Sequence, residues 1–158
     1  MNRLPVVQDA KRSCHKCTAC CTTHAVSSID KAEFTRCEHQ RSAGIGGCRI
    51  YKERPGQCRE WACLWLMGVG DASDRPDKLG VVFDVQWSDP LGAYVLKVFQ
   101  VRPNAHTSDR VQAIIRALLS AKGGVAILYR PGGTRTLLGG DPATTARAEA
   151  IMRAHGGV

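Results

Sequence analysis

Four cysteines fall within eight residues, in the run Cys14-His-Lys-Cys17-Thr-Ala-Cys20-Cys21. Two cysteines separated by two residues let the backbone turn a knuckle that directs both sulfurs at one metal. Extended to C-x2-C-x2-C, this is the spacing by which a bacterial-type [4Fe–4S] cluster takes three ligands, a more distant cysteine completing the set. Four more cysteines follow at Cys37, Cys48, Cys58 and Cys63, and residues 64–158 contain none. Intervals of 11, 10 and 5 form no knuckle of their own. They make sense as ligands delivered from separate loops and a helix onto the first cluster.

The pairing within this set stays open at the level of sequence. Neighbours Cys20 and Cys21 point apart, so they serve different centres or one of them bridges. Cys58 and Cys63, on a predicted helix, are about 140° apart around its axis at 3.6 residues per turn. They either serve different metals or lie across the helix end. His15, His24 and His39 sit inside the region, and imidazole can replace a sulfur on zinc; His24, three residues after Cys21, is the foremost of these.

A secreted disulfide scaffold needs an export signal, and Met1–Ala10 has neither an apolar core nor a processing site. No stretch approaches the ~18 apolar residues that cross a bilayer. The expected setting is therefore the reducing cytoplasm, where thiols bind metal. The formal charge of +8 is spread evenly: residues 1–78 hold 13 Lys/Arg against 9 Asp/Glu, and residues 79–158 hold 9 against 5. Eight thiolates carrying two divalent metals would reduce it to about +4, because the thiolate is the ligand form. A nucleic-acid binder gathers its charge on one face, so nucleic acid is disfavoured as a partner. Trp61, Trp65 and Trp87 sit within apolar patterns and read as packing residues.

The elements that must position the cysteines divide the chain into an arm (1–12), a cysteine-rich lobe (13–70), a polar link (71–79) and an α/β lobe (80–158). The cysteine lobe has few aliphatics, and a metal would replace part of its core. Short helices are expected over Ser27–Phe34, opened by a serine cap, and over Gln57–Met67, where Trp61, Leu64 and Trp65 fall at i, i+3, i+4. In the second lobe, Phe83, Val85 and Trp87 alternate with polar residues, which predicts a strand paired to Ala93–Val101 through the turn at Ser88–Gly92. Val111, Ile114, Ile115, Leu118 and Leu119 predict a helix capped by Thr107 or Ser108 and stopped by Gly123-Gly124. A second hairpin flanks Pro131-Gly-Gly133. A last helix follows Asp141, with Pro142 at its first position and Gly156 beyond its end. The fold class expected is α+β: an N-terminal cysteine-rich, metal-stapled lobe followed by a ββαββα antiparallel sheet with helices on one face.

The segment from Cys14 to Cys63 resembles the CxxCxxCC family of zinc- or iron-chelating domains. The resemblance covers roughly residues 13–67. It rests on Cys14–Cys21, on Cys37, and on Cys48-Arg-Ile-Tyr-Lys-Glu-Arg-Pro-Gly-Gln-Cys58-Arg-Glu-Trp-Ala-Cys63, where Tyr51, Arg54, Pro55 and Arg59 match as well as the cysteines do. Trp61 stands where Phe or Tyr is usual, and the Gly-rich Ser42–Gly47 segment replaces a more apolar connection. A related domain occurs in flagellin lysine N-methylases. The resemblance implies zinc or an iron–sulfur cluster ([4Fe-4S]), one or two centres per chain, on Cys14, Cys17, Cys20, Cys21, Cys37, Cys48, Cys58 and Cys63.

Charge gives Tyr51, Arg54 and Arg59 a supporting role. Four thiolates around a divalent metal leave a net −2, which guanidinium groups and N–H donors compensate. No Gly-rich cofactor loop follows a strand, Gly44–Gly47 and Gly132-Gly133 reading as turns, so methyl transfer does not carry over; no Ser/His/Asp nucleophile pattern, paired-carboxylate signature or phosphate loop accompanies the cysteines either. Two functions follow. One is a metal-carrying protein with a metal or redox role. The alternative is a structural or interaction module of a larger assembly, docked through its C-terminal lobe, in which the metal only stabilises the fold.

Overall fold

The computed structural model describes Asp9 and residues 11–155. Most of the arm, residues 1–8 and 10, and the terminator at Gly156 lie outside the described residues. The described residues form a mixed α+β structure with a four-stranded sheet and five α-helices. Strands β1 (Val81–Ser88), β2 (Ala93–Gln100), β3 (Val125–Tyr129) and β4 (Arg135–Gly140) lie side by side in chain order. The two hairpins occur as their turn residues predict, with β1 antiparallel to β2 and β3 antiparallel to β4.

The junction between the hairpins corrects the expectation of a fully antiparallel sheet. Strands β2 and β3 run parallel, pairing Val95 with Val125 and Phe99 with Tyr129. Between them the chain makes helix α4 (Asp109–Lys122), whose length carries it back to the starting edge, the geometry of a βαβ crossover. The Ser108 hydroxyl caps this helix by accepting from the Val111 N–H. Gly124 follows in a left-handed conformation, and an added Cβ there would collide with the carbonyl oxygen of Tyr94. Only glycine permits so close a start to β3.

The helices also lie on both faces of the sheet rather than on one. Val81, Phe83, Leu96, Val98, Ala126 and Leu128 meet Val111, Ile114 and Ile115 of α4. The alternate residues Val82, Val95, Phe99, Ile127 and Tyr129 meet Ala148, Ile151 and Met152 of α5 (Pro142–His155) together with Cys14, Cys17, Ala19, Cys63 and Leu66. A sheet with two apolar faces needs cover on both. The strand β3 is buried along its whole length, and Val125, Ile127 and Leu128 each contribute roughly 1.5–3 kcal/mol through burial. Asp141 caps α5, accepting from the Thr144 N–H at 2.9 Å.

The cysteine-rich region has little regular structure: α1 (Ala19–Thr23), α2 (Gly56–Glu60) and α3 (Pro76–Leu79), with single 3-10 turns at Ser27–Ile29 and Ala72–Asp74. Both helices expected here are cut short. The first stops at Ile29, where Asp30 turns left-handed and Lys31 bonds back to Val26. The second ends at Glu60; Trp61 is extended, and the Leu64 N–H donates to the Phe83 carbonyl at the edge of β1. Ala62, Cys63, Leu64 and Leu66 are all buried. Burial against both sides of the sheet edge outweighs the i, i+3, i+4 pattern, which a helix could satisfy on one face only.

Polar ties hold this region to the sheet. The Arg12 guanidinium donates to the carbonyls of Trp65, Val69 and Gly70. Arg135 of β4 pairs with Glu33 at 2.7 Å. Asp71 and Asp74 cap each other's turn and bind Arg110 of α4. No helix among the described residues is long and apolar enough to cross a membrane.

Candidate metal centre

Cys14 and Cys17 form the expected knuckle: the Cys17 N–H donates to the Cys14 carbonyl at 2.7 Å. Helix α1 follows at once and carries Cys20 and Cys21 on successive residues. The loop bearing Cys37 is fixed to it, because the Cys37 N–H donates to the Cys21 carbonyl at 3.0 Å. Gln40 then pairs with Cys48 as an isolated bridge, and its amide donates to Thr18. Gly46 presses the 42–47 turn onto the knuckle; a Cβ there would lie 2.5 Å from the Lys16 carbonyl oxygen. Gln57 of α2 accepts from Ser27, which brings Cys58 to the same side.

These ties gather Cys14, Cys17, Cys20, Cys21, Cys37, Cys48 and Cys58 around one cavity of about 190 Å³. Cys63 lines a smaller one of about 20 Å³, together with Cys14, Cys17 and Cys20 beneath Trp61, Trp65, Leu66 and Val82. All eight cysteines are free thiols, and only Cys63 is fully buried. Among the described residues, no three Cys, His, Asp or Glu side chains are arranged closely enough to hold a metal ion. The thiols share walls without converging on a point.

Hydrogen-bond donors around the sulfurs suit thiolate. Backbone N–H groups are directed at several of them: Ala19 and Asp77 at Cys17, Leu66 and Trp65 at Cys63, and Ile50 at Cys48. Such donors compensate sulfur charge in a metal–thiolate site. Two buried side-chain donors near the cysteines, Ser13 Oγ and Trp61 Nε1, have no hydrogen-bond partner among the described residues. A buried orphan donor is costly, and a sulfur anion is an acceptor for it. The donor set therefore fits a soft or borderline metal or an iron–sulfur cluster, although the sulfurs would have to move inward.

Burial dominates the thiol acidities. It pushes Cys17 up to about 11 and Cys63 up to about 12, and it raises Cys14, Cys48 and Cys58. Cys20 and Cys21 form a hydrogen-bonded pair in which Cys20 keeps its proton and donates, so Cys20 is raised and Cys21 lowered. Lys31 adds to the lowering of Cys21.

Lys31 is what the spacing of cysteines does not reveal. It is 7% exposed, and its ammonium donates to the carbonyls of Thr22, His24 and Ala32. Desolvation pulls its pKa down, opposed by Cys37, Cys21, Cys20 and Cys58. It is a buried cation on the wall of a thiol cavity, the charge partner that sulfur anions require. A lysine in sequence reads as a surface residue, and no motif marks this one. Asp77 is a second addition: its carboxylate accepts from the Cys17 thiol and is held by Arg75 at 2.6 and 2.8 Å.

Of the three supporting residues read from sequence, Arg54 and Tyr51 line the larger cavity. The Arg54 guanidinium stacks 4.0 Å over the Tyr51 ring and donates to the carbonyls of Tyr51 and Cys58. Its charge favours the thiolates of Cys14, Cys48 and Cys58. Arg59 is exposed on α2 and does not line the cavity. His15, His24 and His39 all line it; the His24 ring packs between Trp61 and Phe99, with centroids at 4.3 and 4.1 Å.

No protein-family model, curated protein or solved structure matches this chain.

Proposed function

We propose that this chain is a metal-binding protein whose eight cysteines hold zinc or an iron–sulfur cluster, in a reducing, cytoplasmic setting, with a metal or redox role. The observation that carries the reading is seven thiol residues around one cavity, beside a buried lysine and backbone N–H groups directed at sulfur. Cys14, Cys17, Cys20, Cys21, Cys37, Cys48, Cys58 and Cys63 would be the ligands. Lys31 and Arg54 would offset their charge, with Tyr51 positioning the guanidinium. A bound cluster would supply one-electron chemistry, and zinc would supply a closed or exchangeable thiolate site. A metal-stapled N-terminal lobe belongs to the same proposal, since the cysteines supply much of what packs beneath Trp61 and Trp65.

A second reading is supported by Cys63. It is 6% exposed and packs with Ala62, Leu66 and Val82, as a purely structural ligand would. Here the metal only stabilises the fold, and the C-terminal lobe docks to a protein partner or larger assembly.

Anaerobic purification tests both readings. An iron–sulfur protein is brown with broad visible absorbance; a zinc protein is colourless, and metal analysis gives the stoichiometry. Purified chain that holds neither zinc nor iron, while circular dichroism and proteolysis report an ordered N-terminal third, would refute the proposal.

A further inference from the structure

We infer that the eight cysteines form two adjacent four-sulfur centres, Cys14/Cys17/Cys20/Cys63 buried against the sheet and Cys21/Cys37/Cys48/Cys58 facing the larger cavity, and that the second is the exchangeable one. The inference rests on the metal-binding function proposed above and assigns its ligands.

The two cavities sort the sulfurs. The smaller is lined by Cys14, Cys17, Cys20 and Cys63 and by no other cysteine. The larger takes in Cys21, Cys37, Cys48 and Cys58 and leaves Cys63 out. Backbone ties agree, since Cys37 bonds to Cys21 and Cys48 is bridged to Gln40 of the Cys37 loop. Cys14, Cys17 and Cys20 also border the larger cavity, as expected of centres that share a wall. Helix α1 makes that wall. Successive residues on a helix are about 100° apart, so Cys20 and Cys21 leave it in different directions although their thiols hydrogen-bond to each other across that wall, and Cys63 reaches Cys20's side because α2 ends at Glu60.

The settings of the two sets differ. The first lies under Trp61, Trp65, Leu66 and Val82, with Cys63 buried and Cys14, Cys17 and Cys20 half-buried. All four sulfurs of the second are half-buried, beside Lys31, Arg54 and the exposed Tyr51. A closed four-cysteine site is structural; the set that opens toward solvent is the one a metal acceptor or electron partner can reach.

The test is to titrate the reduced full-length chain with Cd²⁺, following the sulfur-to-metal absorbance and ¹¹³Cd resonances. Wild type is expected to bind two ions with two thiolate-type resonances. Cys58→Ser should lose one and Cys14→Ser the other. Cys48→Ser/Cys58→Ser, within one set, should lose no more than Cys58→Ser alone, while Cys14→Ser/Cys58→Ser should lose both. After Zn²⁺ loading, a chromophoric chelator should remove one ion well ahead of the second, and Cys58→Ser should abolish that fast phase. Circular dichroism of each variant at matched metal content checks the sheet. If a variant unfolds, wild type still decides, because a single shared centre gives one resonance and one release phase. Metal bound by wild type, but lost entirely in Cys48→Ser/Cys58→Ser or still held in Cys14→Ser/Cys58→Ser, overturns the partition and leaves the metal-binding function standing. Fast release surviving Cys58→Ser and vanishing in Cys14→Ser reverses the accessible centre and overturns that assignment. No Cd²⁺ or Zn²⁺ bound by wild type removes the metal-binding function and the partition together.

Discussion

The backbone N–H of Cys37 donates to the carbonyl of Cys21 at 3.0 Å, joining two cysteines 16 residues apart. That bond fixes the Cys37 loop to helix α1, and the intervening turn places Lys31 where its ammonium is buried beside both thiols. Recruitment of a cation and a second thiol by one short loop has direct consequences for reactivity.

Replacing Lys31 with Met should raise the pKa of the Cys21 thiol, because the one cationic side chain that lowers it disappears. The pH profile of Cys21 alkylation, followed by mass spectrometry of the metal-free chain, should move to higher pH. Three carbonyls also lose a charged donor, which costs about 1–3 kcal/mol. Lys31→Arg should restore part of the alkylation profile. An unchanged profile in Lys31→Met would show that hydrogen bonds from Cys20 and the backbone set the acidity of Cys21 without Lys31.

The metal-free chain should lose stability above pH 9. In the folded state Cys17 and Cys63 stay protonated to about 11 and about 12, against an ordinary value near 9. Above pH 9 the unfolded chain binds fewer protons at these sites than the folded chain, so unfolding becomes easier as pH rises toward their folded values. The loss should reach several kcal/mol, because each tenfold change in a thiol's acidity corresponds to about 1.4 kcal/mol. Urea midpoints between pH 8 and 11 measure it. Metal-loaded protein should instead gain stability from pH 8 to about 9 and level off above it, because its thiolates bind no protons while the released thiols of the unfolded chain do, and loading at neutral pH should release protons from the buried set.

Asp74 predicts acid sensitivity on the other side of neutrality. Arg110 holds its carboxyl below the ordinary value, so the stability it contributes is present above pH 4 and fades as pH falls through the lowered value. Asp74→Ala should cost about 1–3 kcal/mol, since the Asp71 N–H loses its capping acceptor. Urea midpoints between pH 2 and 6 should therefore fall more steeply with acid in wild type than in the variant. Equal slopes would show that Asp74 is not a source of the acid sensitivity.

Gly124→Ala should destabilise the sheet without touching the thiols. Its Cβ would strike the Tyr94 carbonyl in a left-handed conformation, a strain of about 1–3 kcal/mol added to the steric displacement. Thermal melts should fall whether or not Cd²⁺ is present. In Gly46→Ala, by contrast, the Cβ meets the Lys16 carbonyl beside the Cys14–Cys17 knuckle, so metal affinity should fall more than the melting temperature of the sheet.

The second half of the chain was largely legible. Val111, Ile114 and Ile115 have a period that belongs to one structure only, and Ser88–Gly92 and Pro131-Gly-Gly133 are turns by local geometry. The direction of β3 was not legible. Every residue of β3 is buried, so no alternation assigns a face, and pairing with β2 depends on where α4 returns the chain. The helix pattern at Trp61, Leu64 and Trp65 misled for the same reason: Leu64 packs on one face of the sheet and Cys63 on the other.

By itself the sequence determined the thiols: eight between Cys14 and Cys63, and the spacing of the Cys14–Cys17 knuckle. Residue type and local spacing are covalent facts, readable without a fold. Only the tertiary structure decided which sulfurs share a wall, that Lys31 is buried among them, and that Arg59 is not. Those depend on long-range contacts, the Cys21–Cys37 bond and the Leu64–Phe83 edge among them, which local residue pattern does not encode.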